Sequence, residues 1–363
     1  MKQLSRFTRG FAGSALALLF ALATACAGPE GPPPATPASA WPSPASTPSS
    51  PSQAAPPPVA KNTTVSAAAN EPATLSSAID EKAVAEATGI AKLETTPDGV
   101  VKASLPRKDI EVAVDGWKIP PFMGLTSWVA FTPAQKGIAD AMIMGDLVLF
   151  EDEVNPVMSV LLEYQVQVTA IHNHFFYDAP HVFFMHVGGE GTVATLGGGI
   201  RVAMNTIAKI RMHSPKPAQG YGVSPLPAKN AIDAAKLEAI FGVKGQAKDG
   251  MFKATMGRST AAACGCNIGK TMGVNTWAAF AGSNENAVVD GDFAVAEREL
   301  QPVLKALRAG GINIVAIHHH MSGENPRILF LHYWGRGKAA DLAGTIKTAL
   351  ELTAWDKPKS ETT

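Results

Sequence analysis

The sequence predicts an α+β protein: a tandem duplication of two homologous α+β domains built on βαββα units. Three observations predict it. The stretch Ala170-Ile171-His172-Asn173-His174 recurs as Ala316-Ile317-His318-His319-His320, and one more histidine follows each copy at the same distance, His186 and His332. Six of the nine histidines are therefore matched pairs, offset by 146 residues. Between Gly145–Met204 and Gly291–Leu350 the two segments align without a gap, with 21 of 60 positions identical. Residues shared by both copies have survived the divergence of the copies, which singles them out within one sequence.

The chain begins with an address. Lys2, Arg6 and Arg9 form a basic region ahead of an apolar stretch over 11–23, the pattern of a signal peptide (1–25). Small residues lead into Cys26, which resembles the lipid-modified cysteine of a bacterial lipobox. Residues 26–72 follow as a spacer made almost wholly of Pro, Ala, Ser and Thr. Such a segment cannot bury enough apolar surface to offset its ordering entropy, and its prolines favour extended conformations. The expectation is an exported protein, lipid-anchored in the cell envelope, and in the outer membrane facing the periplasm if the cell has one. Membrane contact is expected through that anchor only.

Beyond the spacer the composition is that of an ordinary folded protein. Lys and Arg balance Asp and Glu at 31 each, so there is no basic footprint for nucleic acid. Besides Cys26 only Cys264 and Cys266 occur, too few for a disulfide framework. That Cys-x-Cys pair reads as a local disulfide, a soft metal site, or two small residues in a loop; the first half has no counterpart.

Each repeat parses alike. A helix over 77–88 or 231–241 comes first, with Asp80 or Asp233 near its first turn. Two or three β-rich segments follow, ending at Ser127-Trp128-Val129-Ala130-Phe131. A strand over 141–150 leads into a helix over about 152–164, apolar at Val154, Val157, Met158, Leu161 and Leu162. Pro156 is assigned to its first turn, where the missing N–H costs nothing. A strand over 166–175, a hairpin partner over 181–187 and a final helix over about 192–210 complete the unit. The first repeat domain is 75–211, the linker 212–226, the second repeat domain 227–355 and the tail 356–363. The two domains are expected to pack face to face. Trp128 and Trp277 read as core anchors.

Alternate residues of a strand share a face, so His172 and His174 point the same way. A turn centred near Ala179 puts His186 opposite His172. A right-handed crossover sets the ends of strands 141–150 and 166–175 side by side, bringing Glu151, Asp152 and Glu153 close. Imidazoles and a carboxylate converging from separate elements suit a divalent transition metal: Zn, Mn, Fe or Cu. The metal candidates are therefore His172, His174 and His186 in one repeat and His318, His320 and His332 in the other. Asp178 and Glu324, matched across the repeats, are further candidate ligands. Asp146 and Asp292 are candidate outer partners that orient the ligands. A hydrogen-bonded His/Glu network that positions an organic ligand is the next alternative.

Gly145-Asp146, Glu-x-Glu-x-x-Pro over 151–156, Ala-Ile-His-x-His over 170–174, Pro180-His181 and a final histidine, behind a lipoprotein signal, resemble the LppY/LpqO family of bacterial lipoproteins. The resemblance covers both repeats. It departs at His181, where the second repeat has Arg327, and at Cys264 and Cys266. It implies envelope location and a duplicated domain of unknown function, and it supplies no substrate. Two readings of function stand. One is a protein that binds divalent metal or a metal-bridged small ligand. The alternative is a metal-dependent hydrolase with Glu151 or Glu153, and Glu297 or Glu299, as general base for a metal-bound water.

Overall fold

Both halves of the chain lay down the same elements in the same order, in a computed structural model that describes residues 78–134 and 139–358. The expected signal peptide, Cys26, the spacer and the last five residues of the tail lie outside the described residues. In the first half these elements are helix α1 (Glu81–Thr88), strands β1 (Leu93–Thr95), β2 (Val101–Pro106), β3 (Thr126–Pro133) and β4 (Ala141–Phe150), and helix α2 (Glu151–Glu163). Strands β5 (Gln167–His172) and β6 (Val182–Gly191) and helix α3 (Val193–His213) complete it. In the second half α4 (Ala234–Phe241), β7 (Gln246–Lys248), β8 (Met251–Gly257), β9 (Asn275–Gly282) and β10 (Ala287–Ala296) come first. Then come α5 (Glu297–Ala309), β11 (Asn313–His318), β12 (Ile328–Gly337) and α6 (Ala339–Leu350).

The twelve strands form one antiparallel sheet in the order β1-β2-β3-β4-β6-β5-β11-β12-β10-β9-β8-β7. Read from either end, the order visits equivalent strands. The α+β class and the duplication stand, but the halves join edge to edge through β5 and β11 rather than face to face. A second correction concerns the crossover. β6 is hydrogen-bonded between β4 and β5, so the strands before and after α2 are separated by one strand.

The helices bury one face of this sheet. Ile143, Leu147 and Leu149 of β4 and Met185 and Val187 of β6 face Val157, Met158 and Leu161 of α2 in the main core. The opposite face is left largely open, except where the hairpin 113–118 covers Val148, Phe150, Val182 and Phe184 and where Ile268 and Met321 pack against Ala294, Ile328 and Phe330. Local signals set the helix ends. Asp80 caps α1 by accepting from Lys82 N at 3.0 Å, and Asp233 caps α4, so both helices begin later than the expected 77 and 231. α2 starts at Glu151, which makes Pro156 its sixth residue, past the first turn; the helix forgoes one backbone hydrogen bond there.

The seam between halves is narrow. β5 and β11 pair at Ile171 and Ile317, the apolar residues of the duplicated stretch. Beyond that pair both strands bulge, at Val168/Ala170 and Ile314/Ala316. Side-chain amides from the opposite half satisfy the freed backbone. Asn155 of α2 donates to Ile314 O at 3.0 Å and accepts from Ile314 N at 2.8 Å. Gln301 of α5 does the same to Val168, at 2.8 and 3.1 Å. Each half thus completes the ladder of the other.

Candidate metal centre

The histidines sit on the open face, on strands the sheet order brings together. His172 ends β5, and its face-mate Ala170 is paired with His186 of β6. His186 in turn is paired with Asp146 of β4. The expected pairing of His186 with His172 is therefore displaced by two residues, which keeps His186 on the same face. The second half repeats this with Ala316 opposite His332 and His332 opposite Asp292. Because Ile171 and Ile317 are in register, both clusters lie on one face, flanking the axis that relates the halves.

Aromatic packing fixes the rings. His172 stacks on His186 with centroids 4.9 Å apart, and His318 on His332 at 4.9 Å. His174 lies flat on Phe184 at 3.4 Å and His320 flat on Phe330 at 3.4 Å. A phenylalanine face holds each second histidine at a set angle while leaving its nitrogens free. Phe184 and Phe330 are identical in the gapless alignment, which was the available signal for them.

These rings aim nitrogens at common points. His172 Nε2 and His174 Nε2 are 3.2 Å apart. Two nitrogens on one tetrahedral metal with bonds of about 2.0–2.1 Å would be separated by roughly 3.4 Å, so the spacing suits a shared ion. In the second half one ligand atom each from Asp292, His318 and His320 lies within 4.8 Å of the others. His320 Nε2 is 3.7 Å from Asp292 Oδ2. Among the described residues, Asp146 Oδ1, Asp292 Oδ1 and His318 Nε2 are buried without a hydrogen-bond partner. Buried polar atoms are normally satisfied, and a cation would satisfy these.

Electrostatics point the same way. Burial lowers the pKa of His172, His174, His318 and His320, and neighbouring imidazoles lower it further in each. All four are thus biased to the neutral, ligating form. Burial pushes Asp292 up to about 6, opposed by His332. That carboxylate lacks an adequate counter-charge within the protein.

Several expected site residues have other tasks. His332 lies beside the cluster with Nδ1 3.4 Å from Gly291 O, and Asp292 takes the place expected for a third imidazole. Asp292 therefore stands in the cluster itself rather than behind it. Asp178 accepts from Val182 N at 2.7 Å and Glu324 from Ile328 N at 3.0 Å, so both brace the loop leading into the next strand. Glu153 and Glu299 are buried helix caps. Glu153 accepts from Phe150 N at 2.9 Å and from Arg107 at 2.8 and 3.0 Å. Glu299 accepts from Ala296 N at 2.9 Å and is paired with Arg258. Burial pushes the Glu299 pKa up, but the hydrogen bonds from Arg258, Ala296 N and Ala354 N, together with the Arg258 charge, outweigh it and hold the group below its ordinary range. A carboxylate so held is a poor general base.

Glu151 and Glu297 line separate clefts on the helix side, with Phe183 and Tyr221 and with Gln301 and Arg327 respectively. The crossover expected to bring these glutamates to the histidines is interrupted by β6. The arginine partners went unread in the sequence, although Arg107 and Arg258 each follow the matched Lys-Ala pair (102–103, 253–254) by the same distance. Trp128 and Trp277 are half-buried on the open face, paired with Asp146 and Asp292, and not in the core. Lys102 and Lys253 lie over their rings at 5.0 and 4.0 Å.

The family described as Domain of Unknown Function (DUF1259) matches residues 82–206 and again 235–352. The chain belongs to that family. Its two matches fall on the two halves, one family domain in each. No curated protein and no solved structure matches the chain.

Proposed function

We propose that this protein is an exported, envelope-anchored lipoprotein of the LppY/LpqO kind. It binds a divalent transition metal ion, or a small ligand bridged by one, at a His-x-His site in each half. The observation that carries the metal reading is the convergence of Asp292, His318 and His320 within 4.8 Å on a sheet face free of helices. Two neutral imidazoles and one carboxylate form a donor set for Zn, Mn, Fe or Cu, and three protein ligands leave a position open for a further ligand. Binding is favoured over hydrolysis because Glu153 and Glu299 are tied to arginines. The export reading rests on the basic and apolar leader and on Cys26.

Two experiments test the reading separately. Metal content measured on chain purified without chelator should show a bound transition ion that EDTA removes. Removal should lower the melting temperature, since an ion that binds only the folded state adds stability by mass action. Metal-free and metal-loaded protein melting together would refute the site. Cys26→Ala should release the protein from the membrane fraction; unchanged fractionation would refute the anchor.

A further inference from the structure

The sulfur pair of the second half belongs to no part of the histidine site. Cys264-Gly265-Cys266 forms the tip of a hairpin whose strands, Thr260–Ala261 and Asn267–Ile268, are paired residue for residue. The tip is closed by Gly265 N donating to Ala262 O at 2.8 Å and Ala262 N donating to Cys266 O at 2.8 Å. Gly265 has φ +79°, a conformation open to glycine, and this lets the chain reverse between the two cysteines. Both cysteines are exposed and free. The neighbouring Cys266 thiol pulls the Cys264 pKa down.

The hairpin is fastened at its base. Ala261 exchanges both main-chain bonds with Asn325, at 2.9 and 3.3 Å, and Thr260 Oγ1 donates to Pro326 O at 2.8 Å. Ala263 packs against Gly323, where an added Cβ would meet its methyl at 3.3 Å. The tip therefore rests on the loop that follows His320. The first half has an equivalent hairpin, with Ala113 paired to Ala179, but Asp115 and Gly116 make its turn. Only the second copy carries sulfur, and both sulfurs share one rigidly seated turn.

We propose that Cys264 and Cys266 form a distinct soft-metal site, taking a monovalent ion of the Cu(I) class through two sulfurs. Thiolates select soft cations, whereas the imidazole and carboxylate donors nearby suit divalent ions. The site exposes its sulfurs to solvent, so it is loaded and unloaded from outside without opening the fold. It is independent of the histidine centre in its ligands, and its hairpin is fastened to the loop that follows His320.

The test is an anaerobic titration of the reduced full chain with Cu(I), against a competing Cu(I) chelator, in a Cys26→Ser background. The expected result is about one Cu(I) per chain with a sulfur-to-metal absorption band. Cys264→Ser/Cys266→Ser should lose both band and bound ion while keeping the parent melting temperature, because the tip is exposed. His318→Ala/His320→Ala should keep them. Copper binding unchanged in the serine variant, or absent from the parent, would overturn the proposal. So would its loss from the histidine variant. A divalent titration of the serine variant separates this outcome from the proposed function, since the histidine centre should still load.

Discussion

In the second half Asp292, His318 and His320 aim ligand atoms at one another, whereas among the described residues of the first half Asp146 does not complete so tight a group. His172 and His174 meet at 3.2 Å there. The ligand residues and the stacked phenylalanines are the same in both. What differs is the packing beneath the aspartate. Behind Gly145 stands Val187, but behind Gly291 stands Tyr333, whose hydroxyl donates to Trp277 O at 2.9 Å. An added Cβ at Gly291 would lie 2.1 Å from that phenol, and one at Gly145 would lie 2.7 Å from Trp128 O. Both copies therefore keep Gly-Asp. Asp290 also replaces Met144 beside the second aspartate and raises its pKa further. The donor set has been copied faithfully while its support drifted, so the two sites can differ in affinity with no change of ligand.

The buried ion pairs put the largest number on this comparison. Glu153 meets both Arg107 and Arg211, each buried, while Glu299 is paired with the buried Arg258 and otherwise reaches only the exposed Arg298, at 4.0 Å. Removing one partner of a buried pair leaves an uncompensated charge and costs about 3–5 kcal/mol. Glu153→Ala should therefore be the more destabilising of the two glutamate variants in denaturant unfolding. Equal losses below about 1 kcal/mol would show that neither cap matters.

Asp292→Asn and Asp146→Asn sharpen the site comparison. The first should abolish tight divalent binding at its site, and the second should weaken binding less, as read by calorimetric titration. Without metal, Asp292→Asn should stabilise the protein at neutral pH by on the order of 1–2 kcal/mol, because it removes a buried, poorly compensated charge. An equal response to the two substitutions would erase the difference between the halves.

The pH profile follows from the same carboxylate. The folded-state pKa of Asp292 is raised from 3.8 to about 6. The metal-free protein therefore holds the stabilising proton at low pH and loses that contribution as pH rises through about 6. The advantage of Asp292→Asn should appear at pH 7 and vanish near pH 4. Metal binding runs oppositely: it should be flat above neutrality and fall as pH drops through about 6. Binding that strengthens on acidification would contradict the assignment.

The smallest effect concerns the seam. Asn155→Ala and Gln301→Ala should each cost about 1 kcal/mol, with equal losses in the two halves. Unequal losses would show that the halves do not depend on each other symmetrically.

Much of this was legible because the chain carries its own comparison. The gapless 146-residue offset revealed the histidines, the aspartates and the class of fold. What could not be read was long-range. That β6 inserts between β4 and β5 depends on sheet order, and period-2 alternation is silent on order. The error misplaced Glu151, Glu153, Glu297 and Glu299. Arg107 and Arg258 were hidden because an isolated arginine reads as surface. Asp178 and Glu324 looked like ligands by spacing, although short acidic side chains brace backbone turns as readily.

The most direct measurement is anomalous diffraction at the metal edge from crystals of the chain soaked in Zn(II). The account predicts a peak in the second half bonded to Asp292, His318 and His320 at about 2.0–2.2 Å, with a weaker one between His172 and His174. A peak at neither cluster, with zinc in the crystal, would contradict it.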